Sequence, residues 1–152
     1  MLLGQTGAGK SFFGNALLGS IDPSKGVFTT GDRSDDHSVM DAVTKYVNGK
    51  TGWFFGESHA RNLGIDHFEI NVVDTPGWGD PDPAKREVNS QRVAQSLTFG
   101  VNLFFLVQSS EMVRFSETEQ DILGDLHHWT NGEFWKRLAM VSNKFCLQGI
   151  FV

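Results

Sequence analysis

The segment Gly4-Gln5-Thr6-Gly7-Ala8-Gly9-Lys10-Ser11 constrains this chain more than any other. It has the form G-x-x-x-x-G-K-S and lies between an apolar stub, Met1–Leu3, and a stretch with helical character. Glycines at 4, 7 and 9 let the backbone turn with φ > 0, and let N–H groups approach an anion with no Cβ in the way. With the N-terminus of the helix behind them, those groups form a preorganised phosphate site. Lys10 is expected to put its charge on β- and γ-phosphates, and the Ser11 hydroxyl to ligate Mg²⁺. A glycine turn capping an ordinary helix is the plainer alternative. Glycine makes up only about 7% of average chains, so the whole pattern rarely arises by chance.

A second motif supports the first. Asn71-Val72-Val73-Asp74-Thr75-Pro76-Gly77 closes an apolar strand with an aspartate and sets a glycine three residues later. Asp74 follows Lys10 by 74 − 10 = 64 residues, room for one helix, one loop and two strands. At the carboxyl end of a parallel strand beside the first, Asp74 would sit where ligands bind in open α/β sheets. There it can hold Mg²⁺ through a water, while the Gly77 N–H hydrogen-bonds a γ-phosphate. A strand-to-turn corner uses the same residue types, and only the pairing with the glycine motif favours the ligand reading. Trp78 to Pro83, with Asp80, Pro81 and Asp82 between them, reads as a mobile switch loop.

The rest of the chain reads as alternating strands and helices. Helices are expected over Lys10–Leu18, ended by Gly19, over Pro83–Thr98, and from Ser116 onward. Ser116 with Glu119 forms a capping box, and Ile122, Leu123 and Leu126 mark the inner face of that helix. Val88, Arg92/Val93, Gln95 and Leu97 give the Pro83 helix its spacing. Strands are expected over Phe68–Val73, Val101–Val107 and Leu138–Val141, with an edge strand over Ser38–Val47 before an Asn48-Gly49 turn. Residues 20–37 have loop composition. The fold class is therefore α/β, with a mostly parallel sheet covered on both faces.

Length and charge narrow the function. One domain fits 152 residues, and 13 basic against 18 acidic side chains leave a formal charge of −5. That balance argues against nucleic acid held on a broad basic face. The longest apolar run, Leu103–Val107, is too short to span a bilayer. Cys146 is the only cysteine, so a reducing compartment such as the cytosol is the default. No signal peptide or lipidation motif is expected, and membrane association is not indicated. Three residues before the glycine motif, and the apolar ending Ile150-Phe151-Val152, suggest a chain trimmed at both ends.

The runs GQTGAGKSFFGNALLG and VVDTPGWGD resemble the translation-factor-related class of P-loop GTPases. Within it the chain is most similar to the AIG-type G domain of immunity-associated GTPases. VNLFFLVQSSEMVRFSETEQDIL resembles the fourth strand and following helix of that family, and EFWKRLAMVSN its approach to the guanine-reading strand. The resemblance covers most of the chain. It implies one three-layer P-loop G domain over residues 1–152, lacking its C-terminal strand and helix. It further implies GTP and Mg²⁺ binding, slow GTP hydrolysis and nucleotide-controlled pairing of G domains. The nucleotide-binding set becomes Gly4 to Ser11, Asp74, Gly77, Asn143 and Lys144, with Ser11 and Asp74 on the metal.

Three departures matter. The guanine-reading motif N/T-K-x-D appears as Asn143-Lys144-Phe145-Cys146, so the carboxylate that accepts from guanine is missing, and a thiol is a weak substitute. Trp78 follows Gly77 where other GTPases carry a water-orienting glutamine, which slows hydrolysis. The threonine that covers Mg²⁺ in the family aligns with Met40, leaving Thr29, Thr30 and Thr44 as alternatives. An ATP-using P-loop enzyme, and a truncated G domain with impaired nucleotide binding, are the competing readings.

Other clusters read as structural. His127 and His128 are adjacent, lack the spacing of a metal pair and suit a solvated helix end. G-x-S-x-G and Cys–His hydrolase patterns are absent. Arg114-Phe115 reads as surface, and Trp53, Phe54 and Phe55 as core packing ahead of a dimer surface.

Overall fold

The computed structural model describes residues 1–20, 22, 26–28, 50–53, 69–79, 82–109 and 115–143. Its strands are β1 (Leu2–Leu3), β2 (Lys50–Trp53), β3 (Glu69–Val72), β4 (Phe104–Ser109) and β5 (Leu138–Asn143). The helices are α1 (Lys10–Leu17), α2 (Pro83–Ser96) and α3 (Glu117–Thr130), with 3₁₀ turns at Leu97–Phe99 and Glu133–Arg137. The molecule is a mixed α/β fold with a small three-stranded sheet, ordered β1-β4-β5 and parallel throughout. β2 and β3 form a separate antiparallel pair.

Parallel neighbours need crossovers, and helices supply them. Leu2 stands opposite Phe105 and Leu3 opposite Leu106, and the period of two turns each pair to opposite faces. Leu2 packs with Leu17 of α1, Phe28, Val72 and Phe105. Leu3 and Leu106 pack with Val93 of α2, Ile122 and Leu126 of α3, and Phe134. Helices thus cover both faces of the short sheet. Two edge-on aromatic contacts close the layers, Phe13 on Phe105 at 5.3 Å and Phe104 on Phe134 at 6.3 Å between ring centres. No helix among the described residues is long and apolar enough to cross a membrane.

Several expected boundaries shift. The apolar run after Gly100 pairs only from Phe104, and it continues to Ser109. Gly100 turns the chain at φ 79°, and Leu103 is left exposed ahead of the first ladder pair. β5 likewise runs two residues past Val141, to Asn143. Val88 is exposed, not part of the inner face of α2. At 100° per residue it lies about 140° around the helix from buried Val93. Trp53 lies on a strand, β2, that the sequence did not announce. The expected strand over Ser38–Val47, and Phe54, Phe55 and Arg114, lie outside the described residues; Phe115 is exposed.

Both long helices begin where their sequences prescribe. Asp82 caps α2 by accepting from the Ala84 N–H at 3.0 Å, and Pro83 takes the first helical position. Ser116 and Glu119 form the full capping box of α3. α1 stops at Leu17, and Gly19 follows with φ 82°.

Asn15 stands out inside α1, a polar side chain buried in the Leu2 face. Its amide donates to the Phe28 carbonyl at 2.9 Å, and its oxygen accepts from the Phe28 N–H at 2.8 Å. The pair clamps residues 26–28 over the helix. Asn15→Ala strands both Phe28 backbone groups and is expected to destabilise the chain by about 2–4 kcal/mol in denaturant melts. A change below about 0.5 kcal/mol, the size of an ordinary surface substitution, would show that the clamp is dispensable.

Candidate functional site

The site lies at the carboxyl edge of the sheet. β1 pairs with β4 on one side. On the other side, the Leu2 N–H donates to the Val73 carbonyl at 2.8 Å, and Leu2 bridges in parallel to Asp74. The chain therefore departs from β1 between β4 on one side and the segment that follows β3 on the other, the kind of crevice in which open α/β sheets bind ligands. The Thr75 hydroxyl fixes this corner by donating to the Leu2 carbonyl at 2.7 Å.

Residues 4–11 leave β1 as a tight loop. Gly4 has φ 146°, and a Cβ built there would collide with the Val107 carbonyl, so only glycine passes under β4. Gly9, at φ 86°, forms the N-cap of α1 with no side-chain cap. The first-turn amides of α1 are therefore directed into the loop, where they favour an anion. Thr6 and Gly7 are exposed, whereas Ala8 and Lys10 are buried.

Lys10 bends back into the loop. Its ammonium donates to the Gly4 carbonyl at 3.2 Å and to the Gln5 carbonyl at 2.8 Å. Burial pushes its pKa down to about 8, and the nearby Asp74 charge resists that shift. Ser11 donates to Asp74 Oδ2 at 2.5 Å, across 63 residues of sequence. Burial pushes the Asp74 carboxyl above its ordinary range, opposed by the Ser11 hydroxyl, the Lys10 charge and a backbone bond at Thr75. Its second oxygen, Oδ1, is buried with no hydrogen-bond partner. A carboxylate oxygen sealed from water without a donor is unfavourable as it stands, and a divalent cation is a fitting complement. Ser11 and Asp74 are both hard oxygen donors, so the residues fit Mg²⁺.

The second motif closes on the first. A Cβ built on Gly77 would lie 2.5 Å from the N and Cα of Thr6, so the two segments touch backbone to backbone. The Trp78 N–H donates to the Gly4 carbonyl and the Thr6 N–H to the Trp78 carbonyl, both at 3.2 Å. The Trp78 indole donates to Asp125 of α3 at 3.4 Å. Trp78, expected to open a mobile segment, is here tied to the loop and to α3; Asp80 and Pro81 lie outside the described residues.

The structure thus brings together Gly4 to Ser11, Asp74 and Gly77. Asn143 ends β5 opposite Ser109, on the same carboxyl edge and two strands from β1. Lys144, Cys146, Thr29, Thr30, Met40 and Thr44 lie outside the described residues. Both α3 histidines are exposed, and His127 accepts from the Trp135 indole at 3.2 Å. Asn15 and the bond from Gln5 to Ser116 were not read from sequence. The one available signal for Asn15 was a polar residue set among small and apolar ones beyond the first turn of α1. No protein-family model matches the chain, and no curated protein matches it.

Proposed function

We propose that this chain is a P-loop G domain, similar to the AIG type, that binds GTP with Mg²⁺ and hydrolyses it slowly. In this reading it serves as a nucleotide-controlled switch or assembly module, and nucleotide-dependent pairing of two G domains is part of it. One observation carries the proposal. Lys10 and Ser11 meet Asp74, which follows Ser11 by 63 residues, beside a glycine loop at a sheet edge, and one oxygen of Asp74 lacks a donor.

The chain's own groups then act as follows. Amides of the loop and of the first turn of α1 hold the phosphate oxygens. Lys10 exchanges two backbone carbonyls for phosphate oxygens, a stronger, charge-assisted pairing. Ser11 and Asp74 are the residues that would hold Mg²⁺. Bound there, Mg²⁺ neutralises charge on the β- and γ-phosphates. Gly77 offers its N–H to the γ-phosphate, and Asn143 and Lys144 are assigned to the base by the sequence resemblance alone. Trp78 carries no acceptor to orient an attacking water, which keeps hydrolysis slow.

Cys146 favours a second reading, an ATP-using P-loop enzyme, because no carboxylate stands there to select guanine. Competition for a bound fluorescent nucleotide separates the two. GTP is expected to displace it at lower concentration than ATP. The reverse order would move the chain to the second reading, and displacement by neither would remove both.

A further inference from the structure

Helix α3 reaches the glycine loop through its capping box. Gln5 Nε2 donates to the Ser116 hydroxyl, joining residues 111 apart in sequence. That hydroxyl also accepts from the Glu119 N–H at 3.2 Å and donates to Glu119 Oε2 at 3.2 Å. Glu119 Oε2 accepts the Ser116 N–H at 2.9 Å as well, and Glu119 is only 1% exposed. A capping box needs just the two reciprocal bonds between its own members. Here the glutamate of the box is buried, and its half-buried serine carries an additional donor from the loop. The same helix meets the Gly77 segment twice more: Asp125 accepts from the Trp78 indole, and a Cβ at Gly79 would lie 3.1 Å from the Thr118 methyl.

The position of Gln5 matters to its neighbours. Its carbonyl is the nearer acceptor of Lys10, at 2.8 Å, and also accepts from the Ala8 N–H at 3.2 Å. Fixing the Gln5 side chain therefore fixes the peptide on which Lys10 and the tip of the loop rest. We propose that Ser116 is a positioning residue: by holding Gln5 to the cap of α3, it keeps the glycine loop in its anion-binding shape. This rests on the nucleotide reading above and adds to it a coupling between the loop and the start of α3.

A double-mutant cycle tests it. Glycine is nearly as good an N-cap as serine, so Ser116→Gly removes the hydroxyl that holds Gln5 while largely sparing the cap. Affinity for the Mg²⁺ complex of GTP, or of ATP if that binds better, is measured for the parent, Gln5→Ala, Ser116→Gly, the double variant and Ser116→Thr. Each single variant is expected to bind about threefold to tenfold more weakly, the range of one side-chain hydrogen bond. The double variant should bind no worse than the weaker single one, and Ser116→Thr should restore affinity. Losses that multiply in the double variant, or a Ser116→Gly that shifts the denaturation midpoint but not affinity, would overturn the positioning role. A parent that binds neither nucleotide would instead remove the underlying reading.

Discussion

Replacing Lys10 with alanine is expected to weaken triphosphate binding by on the order of 100- to 1,000-fold, with the chain still folded. The loss follows from charge: this ammonium lies in the loop beside Asp74, and burial intensifies what it can give a phosphate. Retained folding follows from the same burial. In the folded chain the pKa of Lys10 is near 8, against 10.5 ordinarily. Between those values the folded state binds fewer protons than the unfolded state, so stability rises with pH across that window. Below pH 8 the buried charge is a liability. Lys10→Met, which keeps volume without charge, is expected to melt at or above the parent's temperature at pH 7. From pH 8 to 10.5 the parent should gain on it. Unimpaired nucleotide binding by Lys10→Ala, or a Lys10→Met chain that fails to fold, would contradict this account of the loop.

Asp74→Asn is expected to remove the Mg²⁺-dependent part of nucleotide affinity, on the order of 100-fold, and to preserve the fold. Asparagine keeps the shape and can still accept from Ser11, but it lacks the charge a divalent ion requires. The pKa of Asp74 is raised above 3.8, so its contribution to stability is full below 3.8 and is lost as pH rises through the folded value. Once ionised, the half-unsatisfied carboxylate places a buried charge that works against folding, and asparagine removes that charge. The variant should be at least as stable as the parent at neutral pH, and its advantage should fade as pH falls toward 3.8. Titrations with and without a chelator check the first part, and thermal melts at several pH values the second. Equal Mg²⁺ enhancement in both proteins would remove Asp74 from the metal.

Where the sequence was legible, local chemistry set the answer. Gly9 and Gly19 bound α1, Asp82 and Pro83 start α2, and Ser116 with Glu119 starts α3. A continuous apolar run gave β4, because a strand buried on both faces has little room for polar side chains. The glycine motif and the strand-end Asp-Thr-Pro-Gly marked Lys10, Ser11 and Asp74, and the fold brings these together. What escaped depended on tertiary pairing. The sequence of β2, Lys-Thr-Gly-Trp, lacks an alternating pattern, and β3 alone reveals its partner. Val88 shares a plausible helical spacing yet falls on the wrong side of α2. Gln5 reads as one variable position of the glycine motif, and Ser116 as a cap; nothing local joins them across 111 residues. Asn15 likewise needs Phe28 in place before its role is visible.

In the proposed reading, residues 4–11 with Asp74 enclose the phosphates of a purine nucleotide together with a divalent ion. Isothermal calorimetry on the folded chain tests it most directly. Saturable heat at one nucleotide per chain is expected with GTP and magnesium, greatly reduced when a chelator is added. No heat with either GTP or ATP in the presence of magnesium would contradict it.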